Sequence, residues 1–363
     1  MAHETQRRPE TNMPIENEKM GYACAYTPLV LLDAAGYAPY RILPMSDCPD
    51  QAGQLLHDNL CPHVKRILDR AVGKDLPELG GVVFINSCDA MRRLTDAWRR
   101  VRPHDKIILL DLPAVADAPA AAFFAGELIR LTTALGQWSG RSITPSDIEA
   151  SIQRYNQLHQ LFARLRERLY RGRLAGGSAR MQALYNEAMT APLEKSMLSL
   201  QQALALPESK DPESNRIPVF LFGNVLADPE ALSLFESCGV RIIDDDFCTG
   251  SRLFTPMEMD ENRDLHLQIA RGLLTRSPCA RTFDPGQPLK MAEDILRRAR
   301  ASGARGVIGQ TIKFCDPYLD RLPAVRERLR QAGIPLLLLE GDCGLRSIEQ
   351  QRTRIEAFIE MLV

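Results

Sequence analysis

The sequence predicts an α/β fold of two lobes, each built on a parallel sheet with a helical segment between them, and three observations carry that prediction. Short apolar runs such as Val82-Val83-Phe84-Ile85 and Ile107-Ile108-Leu109-Leu110 do not alternate with polar residues, the pattern of strands covered on both faces. Stretches of helical spacing stand between these runs and hairpin signals are few, so the connections read as crossovers. At 363 residues the chain exceeds what one core usually spans, which divides the pattern into two units.

Taken in order, Met1 to Met20 is polar and reads as a mobile tail (residues 1–20). The N-terminal lobe is expected over residues 21–135. It opens with Gly21 to Pro28, a helical stretch from Leu29 to Gly36 that Pro28 is well placed to start, and a strand from Ala38 to Leu43. In Leu60-Cys61-Pro62-His63 the proline marks a first helical position, leaving Cys61 beside unpaired helix amides. Gly81 to Asn86 is the central buried strand, Ser87-Cys88-Asp89 the turn after it and Met91 onward a helix, so Cys88 sits at the carboxyl end of a strand, where ligands bind in open α/β sheets. Lys106 to Pro113 supplies another buried strand.

From Ala120 to about Leu204 the pattern is helical, with Ile148 to Leu169 amphipathic, and residues 136–210 are expected as a helical segment and linker without chemistry of its own. The second lobe, residues 211–363, starts with a strand from Ile217 to Phe222. A helix from Pro229 to Cys238 and a strand from Val240 to Ile243 follow, the latter ending in Asp244-Asp245-Asp246, which reads as caps or a solvated turn rather than a hard-cation site. Then come the loop Phe247 to Arg252, a basic helix from Pro288 to Ala301 and a strand from Gly306 to Phe314 that delivers Cys315. A last apolar strand from Ile334 to Leu339 and a closing helix from about Ser347 to Leu362 complete the chain.

A formal charge of -1 gives no electrostatic footprint for nucleic acid or an anionic membrane, and no apolar run reaches the roughly 20 residues that span a bilayer. Nine cysteines, an odd number spread over a long chain without a signal-peptide pattern, do not form a disulfide framework and imply a reducing, cytoplasmic setting. Four of them, Cys24, Cys61, Cys88 and Cys315, share one setting: the loop after a strand or the start of a helix. Ligands drawn from separate loops suit a site in the cleft between lobes better than a zinc ribbon, because no paired Cys-x-x-Cys spacing occurs. Thiolates without histidine pairs favour zinc or an iron–sulfur cluster.

Six segments carry a resemblance: Gly21 to Pro28 with Ala34-Ala35-Gly36; Cys61-Pro62; Ser87-Cys88-Asp89 with Met91-Arg92-Arg93; Asp246 to Arg252; Phe314-Cys315-Asp316-Pro317; and Gln351 to Phe358. In this order they resemble a subunit of the 2-hydroxyacyl-CoA dehydratase and benzoyl-CoA reductase family, of the shorter, beta type. The resemblance implies two Rossmann-like lobes and a 4Fe-4S cluster in the cleft, held by three cysteines that correspond to Cys61, Cys88 and Cys315. It places Cys24 beside the cluster as a catalytic rather than a ligating residue, assigns no role to Cys248, and gives none in metal binding to Cys48, Cys238, Cys279 and Cys343. The interval from Cys61 to Cys88 holds no further cysteine, unlike the family's double-cubane subgroup.

The implied activity is loss of water from a 2-hydroxyacyl-CoA thioester by a ketyl-radical route, after an ATP-dependent iron–sulfur activator delivers one low-potential electron. Three thiolates on four irons leave one iron open to substrate or water. The implied partners are a related larger subunit, or a second copy of this chain, together with the activator and an acyl-CoA. Two other readings use the same thiolates: a subunit of an ATP-dependent aromatic acyl-CoA reductase, and an electron-relay subunit without catalysis.

Overall fold

The computed structural model describes residues 18–44, 50–209, 216–257, 264–343 and 349–363. It contains two four-stranded sheets, both wholly parallel. Strands β1 (Lys19–Tyr22), β2 (Ala38–Arg41), β3 (Gly81–Asn86) and β4 (Ile107–Asp111) lie in the order β2-β1-β3-β4. Strands β5 (Ile217–Gly223), β6 (Val240–Asp246), β7 (Gly306–Ile312) and β8 (Leu336–Gly341) repeat it as β6-β5-β7-β8. The predicted α/β class with two parallel sheets is therefore what the chain adopts. In each sheet the strand order reverses beside the first strand, and that switch point opens a crevice at the strands' carboxyl ends.

Burial follows strand position. The inner strand β7 is buried throughout and β3 at all but its last residue, whereas the edge strand β4 alternates and leaves Asp111 exposed. The apolar run of β4 reads as a doubly covered strand, but it has only one neighbouring strand, β3. Strand β1 starts two residues inside the expected tail, and Met20 is fully buried. Strand β6 runs three residues past Ile243, so the aspartates belong to it.

Helices α1 (Leu29–Ala34), α2 (Pro62–Val72) and α3 (Asp89–Val101) serve the first sheet. The helical segment consists of α4 (Ala118–Ser139), α5 (Pro145–Tyr170), α6 (Gly177–Thr190) and α7 (Leu193–Ala205). Helix α5 begins with a reciprocal cap in which Thr144 and Asp147 each accept the other's amide hydrogen. Around the second sheet lie α8 (Pro229–Ser237), α9 (Leu265–Thr275), α10 (Lys290–Ala301), α11 (Asp316–Gln331) and α12 (Arg352–Glu360). Helix α9 leaves the second lobe to pack on α4, so one apolar core runs from β1 and β3 through the helical segment to Leu273 and Leu274. No helix among the described residues is long and apolar enough to cross a membrane. Cys48, residues 210–215 of the linker expected from Leu206 to Asn215, and the first residues of the expected closing helix lie outside the described residues.

Candidate functional site

Three of the four singled-out cysteines are the N-caps of helices: Cys61 of α2, Cys88 of α3 and Cys315 of α11. The local sequence explains the placement. Pro62 and Pro317 occupy the first turns of α2 and α11, where a missing amide hydrogen costs nothing, and the chain enters the helix at the cysteine, shortly after a strand at Cys88 and Cys315 and after a longer loop at Cys61. Before Cys315 the turn requires Phe314 to take a left-handed backbone, φ 58°, an unusual conformation for a residue with a side chain. Cys24 follows β1 in a tight turn, with the Thr27 amide donating to its carbonyl at 3.1 Å.

All four thiols line one cavity of about 110 Å³ at the facing carboxyl ends of the two sheets. The first lobe contributes Cys24, Cys61 and Cys88, and the second contributes Cys248 and Cys315. Cys279, which follows α9, lines it as well. Sequence reasoning gave Cys279 no part in the site, and the only signal for it is its placement between Arg276 and Arg281. Cys238 lies elsewhere, packed against a core of the second lobe, and Cys343 sits behind Cys248 beside Val225 and Ile312.

Burial pushes the Cys61, Cys88 and Cys315 thiols up to about 11. Backbone amides in the first helical turns, Val64, Met91 and Tyr318 respectively, act against that rise, as does the Asn224 side chain at Cys315. The sulfurs also raise one another: Cys61 feels Cys88, Cys88 feels Cys315, and Cys315 feels Cys61. The three thiols thus form a mutually coupled set, protonated near neutrality, and binding a soft metal centre would release protons. None of them makes a side-chain capping hydrogen bond of full geometry, so the amides act on the sulfurs mainly through their partial charge. Burial likewise raises Cys24, opposed by the Tyr26 amide and the Ser87 hydroxyl.

Among the described residues no three His, Cys, Asp or Glu side chains stand close enough to hold a single metal ion. Soft donors spread over three separate helix starts suit a polynuclear thiolate-ligated group, in which each sulfur binds a different metal, better than a tetrahedral zinc ion. The chemistry of the donor set therefore fits an iron–sulfur cluster.

The cavity wall is also rigid and cationic. Arg252 is buried and forks onto Asp246, Nε to Oδ1 at 3.0 Å and Nη2 to Oδ2 at 2.9 Å, while Nη2 also reaches the Tyr318 hydroxyl at 3.1 Å. Burial acts to raise Asp246, but the Arg252 and Arg298 guanidiniums overcome it and hold the carboxyl below its ordinary value. Asp244 pairs with Arg166 and Arg298 at 2.8 Å each. The acidic run thus belongs to a buried ion-pair network and not to a solvated turn. Its Asp245 side chain accepts from the Ser251 amide at 2.9 Å, shaping the loop that carries Cys248.

Residues 24–362 match the family model described as 2-hydroxyglutaryl-CoA dehydratase, D-component. The chain is 25% identical to the (R)-phenyllactyl-CoA dehydratase beta subunit of Clostridium sporogenes, over 93% of this chain and 90% of that protein. It is 24% identical to a subunit of the benzoyl-CoA reductase of Thauera aromatica, over 88% of this chain and 84% of that protein. With the beta subunit of the lactoyl-CoA dehydratase of Anaerotignum propionicum it shares 23% identity over 94% and 91%.

Proposed function

The chain belongs to the 2-hydroxyglutaryl-CoA dehydratase D-component family, and on that premise we propose that it is the iron–sulfur-binding subunit of a cytoplasmic enzyme that eliminates water from a 2-hydroxyacyl-CoA thioester. The observation that carries this reading is the convergence of Cys61, Cys88 and Cys315, three helix N-caps from two lobes, on one cavity. These residues would hold a 4Fe-4S cluster. A cluster bound by three thiolates supplies one-electron chemistry and an open coordination position for an oxygen ligand.

The remaining work falls to the chain's own residues. The first-turn amides of α2, α3 and α11 direct partial positive charge at the ligating sulfurs and favour their thiolate form. The apolar side chains of Val64, Met91, Val225 and Ile312 line the cavity and exclude water. Cys24, whose sulfur interacts with the Ser87 hydroxyl, lines the same space and would position substrate or a proton rather than ligate metal. The relatives are named as subunits, which supports a partner subunit for this chain. An ATP-dependent activator would supply the electron.

Aromatic acyl-CoA reduction is the second reading, favoured by the near-equal identity to the benzoyl-CoA reductase relative. The test is anaerobic purification with partner and activator, an iron determination, and assay of a panel of 2-hydroxyacyl-CoA esters alongside benzoyl-CoA. Dehydration of one of the esters is expected. An iron content near zero in anaerobic material, or turnover of benzoyl-CoA alone, overturns the proposal.

A further inference from the structure

The cavity that gathers the cysteines is lined by four arginines and, among the described residues, by no carboxylate. One arginine, Arg252, is neutralised by Asp246. The other three lack a carboxylate partner among the described residues. Arg41 is fully buried and donates to the Cys248 carbonyl, to the Cys248 sulfur at 3.3 Å and to the Met189 sulfur at 3.4 Å. Arg276 donates to the Ala25 carbonyl and stacks on Tyr26, 4.5 Å from the ring centre. Arg281 is clamped by the carbonyls of Leu112, Pro113 and Ser87, the last at 2.7 Å. The Nε atoms of Arg41 and Arg276 are sealed from solvent without an acceptor.

A guanidinium cannot shed its proton to escape burial, and carbonyl dipoles replace its hydration only in part. Burial acts against the charge of Arg276 and Arg281, and the groups that favour it there are the Tyr26 phenol and the cysteine sulfurs, Cys24 and Cys279 at both arginines. The charge is thus matched only when the cavity holds something negative. Backbone carbonyls fix the positions of Arg276 and Arg281, so no rearrangement is needed to meet such an occupant.

We propose that Arg41, Arg276 and Arg281 form a fixed cationic shell that stabilises the reduced, more negative state of a thiolate-ligated cluster in this cavity. The inference rests on the cluster-binding function proposed above. A 4Fe-4S core with three thiolates gains one negative charge when it takes up one electron, with no proton required. The three guanidiniums act on that charge from the wall; they are positioning residues and do not ligate.

The test is a mediator-coupled potentiometric titration of the anaerobic, iron-loaded protein, with titanium(III) as electron donor and the reduced state read by electron paramagnetic resonance. Arg276→Gln and Arg281→Gln should each lower the equilibrium constant for electron uptake about tenfold, a midpoint about 59 mV more negative for a one-electron couple. Arg276→Lys should keep most of the parent value. Loss of iron in the glutamine variants with retention in the lysine variant also supports the shell, because the charge is then needed to hold an anion. Unchanged midpoints in loaded glutamine variants, or equal iron loss in the glutamine and lysine variants, overturn the inference and leave the function standing. A parent protein without iron overturns both.

Discussion

Cys61, Cys88 and Cys315 occupy positions where serine, threonine or aspartate ordinarily cap a helix, and their lack of capping bonds costs each helix on the order of 1 kcal/mol. Structure and site chemistry therefore pull in opposite directions at the same atoms. Replacing any of the three by serine should leave the cluster-free protein as stable or up to about 1 kcal/mol more stable in urea denaturation, while alanine or serine abolishes iron retention. Cys24→Ser should keep its iron and change turnover. If Cys24→Ser lost iron while Cys61→Ala kept it, the ligand assignment would be wrong. His159 makes a second argument at this scale. It is half-buried between the Tyr155 and Phe254 rings, and burial, with Arg276 adding to it, holds its pKa down at about 3. The unfolded chain takes up this proton below about pH 6.5 and the folded chain does not until about pH 3, so stability is full above the first value and drains as pH falls toward the second. His159→Phe should remove about 1–2 kcal/mol of the stability difference between pH 7 and pH 5. An equal acid loss in parent and variant would contradict it.

Among the elements, the paired strands β5 and β7 set the geometry on which the second half of the site depends. A Cβ added at Gly223 would overlap the Gln310 carbonyl oxygen and the Phe247 ring, and the Gly223 carbonyl itself accepts from Arg252 and Tyr318. Gly223→Ala should destabilise by several kcal/mol, more than substitution at an exposed glycine with open space and an ordinary backbone such as Gly126. Arg252→Met, which removes the bidentate partner of the buried Asp246 carboxylate and leaves it only Arg298 at 3.2 Å, is expected to cost up to about 3 kcal/mol by chemical denaturation. These two sites show what the sequence made legible and what it did not. The parallel sheets and the helix-start cysteines were readable because buried runs and prolines at helix starts are local signals, whereas the order of the strands was not. The aspartates of β6 looked solvated because their partners, Arg166 and Arg298, are far away in sequence. Arg41 gave no local signal, and Cys279 only its two flanking arginines, for the same reason: their importance lies in what faces them across the cavity.

For the whole molecule, the decisive fact is that the cavity belongs to neither lobe alone. A cluster bridging Cys61 and Cys88 to Cys315 would tie the two sheets together. Its removal by oxidation and chelation should lower the thermal midpoint and speed hydrogen exchange first at the loops around residues 24, 61, 88 and 315, while the strands of each sheet stay protected. Uniform loss of protection across both sheets would show instead that the lobes unfold as one unit. The same division reaches back to the making of the chain. Its amino-terminal thiols leave the ribosome long before Cys315, and at about 5–20 residues per second the wait is on the order of tens of seconds. Strand β7, which leads into that last thiol, then pairs with the earlier strand β5, and β8 closes the sheet beside it afterwards. During synthesis the pocket is a half-open mould with its early thiols exposed, so a cluster of the proposed kind would be fitted only after the second sheet has formed.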